Sequence, residues 1–502
     1  MSETYREMVE LVREIADINY ATAVLGWDQQ TYMPEKGETG RGRQISLLSA
    51  IAHQRLTDAK LGDLLATLAG DKSLNQEQII QVQRITRDRD KAVKLPTSLV
   101  RELSLTAAKA HGIWAKARQD NDFSAFAPIL ARTVELKTQE AHALGFPEGG
   151  VPYDALLDQF EHGATVATLD PVIEQTKAVV APAVKAIAEA PVKAPTHLLS
   201  RDYDEQGQER FCTAVARAMG LDPAMSRMDR SVHPFTTSFG PRDVRITTRY
   251  LRNWLPSAVF GTIHEAGHAL YELGLPEEHY GTPLGAAVSL GIHESQSRFW
   301  ENVIGRSRPF WTHFFPELSR TFPNALAGVS LDDFHLAING VTPSFIRVEA
   351  DEVTYNLHIV LRYEMEKALF AGDLAVSDLP AAWNERMQRY LGVTPPTDRD
   401  GVLQDIHWSF GGFGYFPTYL LGNLYAAQFH ATLKTALPNL DDLVSRGDFA
   451  PVRQWLGAHI HAHGQRFSPR ELITRVTGQD LDPAFFGAYL KERFADLYQA
   501  RW

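Results

Sequence analysis

Two histidines and a glutamate in one short segment have the types and spacing of a metal-hydrolase site. The segment is His264-Glu265-Ala266-Gly267-His268. In a helix, residues four apart lie on the same face with Cβ atoms about 5–6 Å apart, so both histidines can bind one ion at Zn–N distances of about 2.0–2.1 Å. Glu265 is turned away by one position and can accept a proton from a water that the metal activates. We therefore predict two zinc ligands and a general base on one helix, as in a zinc peptidase.

The residues around this segment predict that its helix is buried. Val259, Ile263 and Leu270 contribute to an apolar side. Gly267 lies inside the helix, where glycine costs about 1 kcal/mol relative to alanine. Close approach of another backbone or of a substrate would explain why it is tolerated.

A peptidase zinc needs a third protein ligand and one open position. Glu294 is the candidate, and the adjacent His293 is the rival that we rank second. Several more distant His-His-Glu peptidases place an aspartate four residues after the third ligand to orient a zinc histidine. Here that position is Arg298, so we expect the orienting carboxylate to come from elsewhere.

A polar face on a predicted strand is a second candidate feature. Polar and apolar residues alternate from Asp243, which places Asp243, Arg245 and Thr247 on one side. A sheet edge near a metal can hold a peptide as an added strand, whereas an exposed amphipathic strand would show the same pattern. His233 lies shortly before this strand and has no role on physical grounds alone.

A long amphipathic segment over 343–371 predicts one helix. Within it, Arg347 and Asp351 are four residues apart. Such a pair is most often a surface salt bridge worth about 0.3–0.5 kcal/mol. In a cleft, the same guanidinium could bind the carboxylate of a peptide C-terminus through two hydrogen bonds.

The stretch Trp408 to Leu433 lacks charged residues and is long enough to span a bilayer. Its glycines, proline and polar residues instead indicate the buried wall of a cleft. His407, Tyr415 and Tyr419 lie at its start. A histidine and a tyrosine near a zinc ion can stabilise a tetrahedral oxyanion, at about 2.7–4 kcal/mol per donor, although buried tyrosines are more often core residues.

Helical periodicity dominates the remaining sequence, near 76–120 and from Leu11 to Leu25 among other places. We therefore predict a mainly α fold with a small β-sheet. Residues 1–502 form a single unit, in which 1–195 is an N-terminal helical region on one side of a deep cleft and 196–502 is the catalytic region. A softer stretch with Pro182, Pro191 and Pro195 is interpreted as the connector.

Composition excludes several classes of protein. The formal net charge of −11 disfavours nucleic acid as a partner. The single cysteine, Cys212, excludes an intrachain disulfide and any zinc site with two or more cysteines, and is interpreted as a buried apolar side chain. Charged residues near the N-terminus argue against a signal peptide. We predict a cytoplasmic protein without membrane contact.

Taken together, seven segments resemble the thermostable carboxypeptidase Taq family of zinc metallocarboxypeptidases, in the family's order and spacing across nearly the whole chain. They are Trp27-Asp28-Gln29-Gln30-Thr31-Tyr32-Met33-Pro34, His233-Pro234-Phe235, Asp243-Val244-Arg245-Ile246-Thr247, His264-Glu265-Ala266-Gly267-His268, His293-Glu294-Ser295-Gln296, Ile346-Arg347-Val348-Glu349-Ala350-Asp351 and Gly401-Val402-Leu403-Gln404-Asp405-Ile406-His407-Trp408.

The resemblance implies a mostly helical homodimer that removes single C-terminal residues from peptides with broad specificity, proline excepted. It implies one zinc ion per subunit, with cobalt as a possible substitute. The implied site comprises the ligands His264, His268 and Glu294, the general base Glu265, the carboxylate-binding Arg347, the oxyanion donors His407 and either Tyr419 or Tyr415, and the further substrate-binding candidates Asp243, Arg245 and His233.

Two alternatives stay open from the sequence. A metallo-endopeptidase or dipeptidyl-carboxypeptidase would use the same zinc chemistry, with the carboxylate-binding cation at another distance from the metal. A catalytically silent metal-binding scaffold would also use the histidines but would have no need of Glu265 as a base.

Overall fold

The computed structural model describes residues 2–502 as an assembly of helices around one small sheet. The first helices are α1 (Glu3–Thr31), α2 (Glu38–Thr57), α3 (Ala59–Ala69), α4 (Gln76–Lys94), α5 (Thr97–Asp120), α6 (Phe123–Leu144), α7 (Pro152–Phe160), α8 (Val166–Glu189) and α9 (Glu205–Met219). After the sheet come α10 (Leu255–Gly274), α11 (Leu290–Arg298), α12 (Arg308–Thr321), α13 (Leu331–Ile338), α14 (Tyr355–Ala371), α15 (Leu379–Leu391), α16 (Phe416–Ala436), α17 (Leu440–Ser445), α18 (Ala450–His459), α19 (Pro469–Thr477) and α20 (Ala484–Tyr498). The prediction of a mainly α fold with a small sheet is confirmed.

Short turns of tighter or wider helix connect these elements. The 3₁₀ turns are Glu35–Gly37, Thr196–Ser200, Glu277–His279, Pro283–Gly285, Arg347–Glu349, Val376–Asp378, His407–Phe410 and His461–Arg466, and a π-helix covers Phe299–Ile304 directly after α11. Single turns of π-helix occur frequently at functional sites.

The sheet has three strands, β1 (Ser226–Arg230), β2 (Thr236–Ser238) and β3 (Val244–Thr248). Their order is β1-β3-β2, with β1 parallel and β2 antiparallel to β3. The predicted strand is therefore the central one. It buries Val244 and Ile246 and leaves Arg245 partly exposed, as alternation requires.

One large apolar core runs through most of the molecule, from Ala110 in α5 to Ala500 after α20, and it includes Cys212. A second, smaller core lies among α1, α3 and α4. The large core contains residues from both sides of residue 195. The division into two regions at that residue stays a prediction.

Glycines allow the central helices to approach closely. A Cβ atom at Gly267 of α10 would lie 2.7 Å from the carbonyl oxygen of Gln296 and 2.8 Å from Cα of Ser297, both in α11. A Cβ atom at Gly422 of α16 would lie 2.5 Å from Cγ of Glu294. The close backbone approach expected at Gly267 is confirmed, and α11 is packed between α10 and α16.

Two local predictions are wrong. The segment 343–371 is not one helix, because α14 begins only at Tyr355, after an irregular stretch. There Asp351 accepts hydrogen bonds from the backbone N–H groups of Thr342, Val353 and Thr354, and so holds a turn instead of pairing with Arg347.

The second error, and the division of one periodic segment into two helices, both involve proline. The periodic segment near 76–120 is helical as expected and divides into α4 and α5, with Pro96 immediately before α5. Pro182 lies inside α8, so the connector begins only after Glu189.

None of the helices within residues 2–502 combines the length and apolarity that crossing a membrane requires. The uncharged stretch Trp408 to Leu433 contributes most of its residues to α16, which is buried along most of its length. The burial of this stretch agrees with the sequence, and its interpretation as the wall of a cleft stays a prediction.

Candidate active site

The three candidate metal ligands converge between α10 and α11. Oε2 of Glu294 is 3.8 Å from Nε2 of His264 and 3.4 Å from Nε2 of His268. One ligand atom from each residue lies within 4.8 Å of the other two. Two imidazoles and one carboxylate are a donor set suited to a catalytic zinc ion, so these residues fit the metal.

The carboxylate that orients the first histidine comes from the π-helix. Oε2 of Glu301 is 2.9 Å from Nδ1 of His264, which leaves Nε2 of that ring directed toward Glu294. Arg298 donates to Oε1 of Glu294 at 2.7 Å and to Oε2 of Glu301 at 3.2 Å. Arg298 therefore links the third ligand, Glu294, to the orienting carboxylate. That carboxylate, Glu301, is the group that the sequence did not identify.

The surroundings of Glu294 and His268 favour the protonation states that these two candidate ligands need. Burial acts to raise the pKa of Glu294, but Arg298 and His264 outweigh it and hold this pKa well below its usual range. Burial, together with the neighbouring His293, lowers the pKa of His268 to about 3. An ionised carboxylate and a neutral imidazole are the forms that bind metal.

Glu265 lies beside the ligands in a protected position. It is 6% exposed, and Oγ1 of Thr236 in β2 donates a hydrogen bond of 2.6 Å to its Oε2. Burial raises the pKa of this carboxyl group. A buried carboxylate with a raised pKa is well suited to take up a proton near neutral pH.

The second ligand histidine contacts another histidine. Nδ1 of His268 is 2.6 Å from Nδ1 of His293, and Nε2 of His293 is 2.8 Å from Oε1 of Glu272. His293, the rival ligand, therefore directs both ring nitrogens at protein groups. The three converging side chains do not include it.

Arg347 is buried, with 5% of its surface exposed. Its Nε and Nη2 donate to Oδ1 of Asp405 at 3.1 and 2.8 Å, and its Nη1 donates to Oη of Tyr355 at 2.8 Å. Three of the five guanidinium N–H groups are used in this way, which leaves two for a ligand. Arg362 holds the other oxygen of Asp405.

His407, Tyr415 and Tyr419 form a cluster next to Arg347. Oη of Tyr419 is 3.4 Å from Nε2 of His407, and the Tyr415 and Tyr419 ring centroids are 5.2 Å apart. The Arg347 guanidinium lies 5.0 Å from the Tyr419 centroid. Burial lowers the pKa of His407 to about 4. The negative charge of Glu294 contributes to a raised pKa of Tyr415, behind the larger effect of burial.

A short chain of contacts connects the metal ligands to Arg347. The Arg298 guanidinium, which holds Glu294, stacks 4.6 Å from the ring centroid of Tyr355. Oη of the same tyrosine accepts the hydrogen bond from Arg347. The separation between metal site and arginine is therefore set by two interposed side chains, Arg298 and Tyr355.

The other substrate-binding candidates lie apart from this cluster. Arg245 pairs with Asp243 at 3.0 Å and packs against the rings of Trp27 and Phe239. The backbone oxygen of His233 accepts a hydrogen bond from Ser231. Within residues 2–502, these contacts connect the sheet to α1 and not to the metal ligands; the sheet reaches the site through Thr236.

Several residues of the site were missed by sequence reasoning, and the signals available for them differ. Glu272 follows His268 by four positions on the same helix face, so its spacing could have revealed it. Glu301 lies in a π-helix, where α-helical spacing does not apply. Asp405 and Tyr355 contact Arg347 from separate segments, and no local pattern marks them.

Comparison with known proteins gives this geometry its context. Residues 7–494 match the family described as carboxypeptidase Taq (M32) metallopeptidase. Thermostable carboxypeptidase 1 of Thermus thermophilus is 44% identical, over 98% of this chain and 99% of that protein. Carboxypeptidase 1 of Bacillus subtilis is 39% identical, over 98% of both.

Solved structures agree with the sequence matches. An M32 carboxypeptidase from Deinococcus radiodurans superposes with a TM-score of 0.97 at 40% identity, over 99% of this chain and 100% of the other. Metallocarboxypeptidase 1 of Trypanosoma cruzi gives 0.93 at 31% identity, over 98% and 99%. This chain therefore belongs to the carboxypeptidase Taq (M32) family and is a metallocarboxypeptidase.

Proposed function

We propose that this metallocarboxypeptidase uses a zinc ion held by His264, His268 and Glu294 to release single amino acids from the C-termini of peptides. The observation that carries the proposal is the chain of contacts from Glu294 through Arg298 and Tyr355 to Arg347. A cation held at a fixed separation from the metal, across two side chains, selects one bond relative to the free carboxylate. It therefore favours an exopeptidase over an endopeptidase.

In this proposal Arg347 binds the terminal carboxylate with its two remaining N–H groups. Two parallel N–H···O bonds give both strength and orientation. Asp405 and Tyr355 hold the guanidinium in place, and its position does not depend on the substrate. The side chain of the released residue is not needed for this recognition, in line with broad specificity.

When bound, the zinc ion would supply an activated water and polarise the scissile carbonyl. Glu265 accepts the proton of the attacking water and delivers it to the leaving amine. The hydrogen bond from Thr236 fixes one carboxylate oxygen of Glu265 and leaves the other for the water. His407 with Tyr419 or Tyr415 would donate hydrogen bonds to the developing oxyanion.

The finer family expectations are part of the same proposal. A C-terminal proline is excluded, since its ring turns the scissile bond into a tertiary amide with fixed φ. Zn²⁺ is the resident metal, Co²⁺ can replace it, and the active form is a cytoplasmic homodimer with one ion per subunit. Asp243, Arg245 and His233 remain proposed contacts for the more distant part of the peptide.

The deciding experiment is product analysis of one N-blocked peptide with a free C-terminus. The zinc-loaded full chain should release single residues stepwise, which mass spectrometry reads as a ladder. Dipeptides would indicate a dipeptidyl-carboxypeptidase, and internal fragments an endopeptidase; either result would overturn the proposal. The same peptide ending in proline should persist.

A further inference from the structure

The contact between two imidazoles beside the metal ligands defines where their protons lie. Nδ1 of His268 and Nδ1 of His293 are 2.6 Å apart, with the ring centroids 4.5 Å apart and the ring planes inclined by 30°. Two lone pairs or two N–H groups would repel at this distance. One proton must therefore lie between the rings, carried by one nitrogen and accepted by the other.

The ligand role of His268 determines which ring is the donor. A neutral imidazole carries one N–H, and the Nε2 atom of His268 faces Glu294 and needs a lone pair for the metal. The proton of His268 is therefore on Nδ1. In the reverse arrangement His293 would donate, neutral His268 would carry its proton on Nε2, and metal binding at that atom would be blocked.

Glu272 selects between these two arrangements. His293 can accept at Nδ1 while neutral only if its own proton is on Nε2, and that atom lies 2.8 Å from Oε1 of Glu272. A carboxylate at this position accepts the Nε2–H bond and stabilises that tautomer. Each contact then has one donor and one acceptor.

We infer that Glu272 and His293 are positioning residues which hold His268 in its metal-binding tautomer. The inference rests on the ligand set proposed above. It also assigns a role to His293 other than that of rival ligand, because neither of its nitrogens has a lone pair left for the ion. The relay joins the two ligand helices, since Glu272 lies in α10 and His293 in α11.

The two ligand histidines are thus held differently. His264 contacts a carboxylate directly, and that carboxylate, Glu301, also accepts hydrogen bonds from Arg298 and Arg306. His268 reaches its carboxylate through a second imidazole. The side chain of Glu272 is 20% exposed, so its removal opens no buried cavity, and apo stability is expected to change little.

The test is the zinc dissociation constant of the metal-stripped full chain, measured by competition with a chromogenic chelator. Glu272→Ala should weaken zinc binding about 10–100-fold. Glu272→Gln should stay within a few-fold of wild type, because its amide oxygen can still accept from His293. Glu278→Ala is the matched control, because Glu278 is exposed and lies after the end of α10.

A second pair of variants tests the other hydrogen bond of the relay. His293→Asn places an amide oxygen where Nδ1 stands and should largely retain affinity, whereas His293→Leu should lose it. In the Co²⁺-loaded proteins, the visible absorption spectrum should change for Glu272→Ala and His293→Leu alone. Thermal unfolding of the apo forms reports folding separately.

The outcomes separate this inference from the function on which it rests. His268→Ala serves as the reference for loss of a ligand; if it binds zinc as wild type does, the ligand set itself is wrong. If His268→Ala loses zinc while Glu272→Ala binds normally, the relay is wrong. Equal losses in Glu272→Ala and Glu272→Gln would also overturn it, since charge and not hydrogen-bond acceptance would then be responsible.

Discussion

The metal region and the arginine region of this site are built in different ways. The metal region, formed by His264, His268 and Glu294, stands on regular helices, and its side chains meet because helices repeat every turn and pack closely. The arginine region, formed by Arg347, Arg362 and Asp405, combines a 3₁₀ turn, α14 and irregular backbone and is held together by buried ion pairs. The proposed metal chemistry, which needs exact ligand spacing, rests on helices, whereas the proposed substrate recognition rests on a charge network.

This difference predicts different kinds of sensitivity. In the metal region, small changes of shape should alter metal binding without unfolding the protein. In the arginine region, removal of one charge leaves another buried without a partner, which costs stability as well as recognition.

Glu265→Gln should have the largest effect on activity. The amide cannot accept the proton of the attacking water, so kcat should fall about 10²–10⁴-fold. The zinc content should remain at one ion per chain, since Glu265 is not among the three converging ligand side chains. Metal analysis and steady-state kinetics on the same sample check this.

The control is Glu277→Gln, which alters an exposed ion pair with Arg242. It should leave kcat unchanged. Normal turnover by Glu265→Gln would show that another group serves as the base.

Asp405→Asn should cost about 3–5 kcal/mol of unfolding free energy, because it leaves two buried guanidinium groups without their carboxylate. Denaturant titration measures this. Asp202→Asn is the matched control, because its pair with Arg252 is mostly exposed and should contribute at most about 1 kcal/mol. Equal losses in the two variants would remove the distinction between the regions.

The same carboxylate makes the unfolding free energy depend on pH in the acid range. Burial acts to raise the pKa of Asp405, but Arg347 and Arg362 outweigh it and hold this pKa well below the usual value of 3.8. The stability from this group is therefore complete above about pH 4 and is lost as the pH falls further toward the folded-state pKa. Unfolding free energies of wild type and Asp405→Asn should converge as the pH is lowered below 3.8.

Gly422→Ala should weaken zinc binding about 10–100-fold, by analogy with loss of a group that orients a ligand. The added Cβ would overlap Cγ of Glu294 and displace the ligand. Gly457→Ala in α18 is the matched control, because no atom lies within 4 Å of its added Cβ; it should leave zinc affinity unchanged and slightly stabilise the helix. Unaltered affinity in Gly422→Ala would mean that Glu294 does not depend on this contact.

Tyr355→Phe should have the smallest effect and test the connection between the regions. It removes the hydroxyl that accepts from Arg347 but keeps the ring against Arg298. The loss of this hydrogen bond should cost about 0.5–1.5 kcal/mol of substrate-binding free energy. KM should therefore rise several-fold with little change in kcat. Tyr390→Phe, whose hydroxyl contacts Glu364 instead, is the control, and a selective fall in kcat for Tyr355→Phe would contradict a role in substrate binding alone.

The same difference explains how much the sequence could predict. The mainly helical fold, the central strand and the approach at Gly267 follow from local periodicity and from the cost of a buried glycine. The ligand set follows from one-turn spacing on α10, with Glu294 supplied by its neighbouring motif.

The arginine region was the harder part to predict. Arg347 and Asp351 have the spacing of an ion pair, but Asp351 binds backbone N–H groups and Arg347 pairs with Asp405 instead. Such pairing depends on tertiary contacts between distant segments. The orienting carboxylate Glu301 was missed because a π-helix shifts the residues that share a face.

The role of Arg347 in carboxypeptidase specificity is tested most directly by one ratio, kcat/KM for a free-acid peptide over kcat/KM for its C-terminal amide, in wild type and in Arg347→Met. Wild type should strongly prefer the acid. In the variant, the transition state with the acid should lose about 2–5 kcal/mol of stabilisation, whereas the transition state with the amide should lose none. The ratio should therefore approach one. A variant that slows both substrates equally, or a wild type that cleaves the amide as fast as the acid, would show that the arginine does not select the free carboxylate.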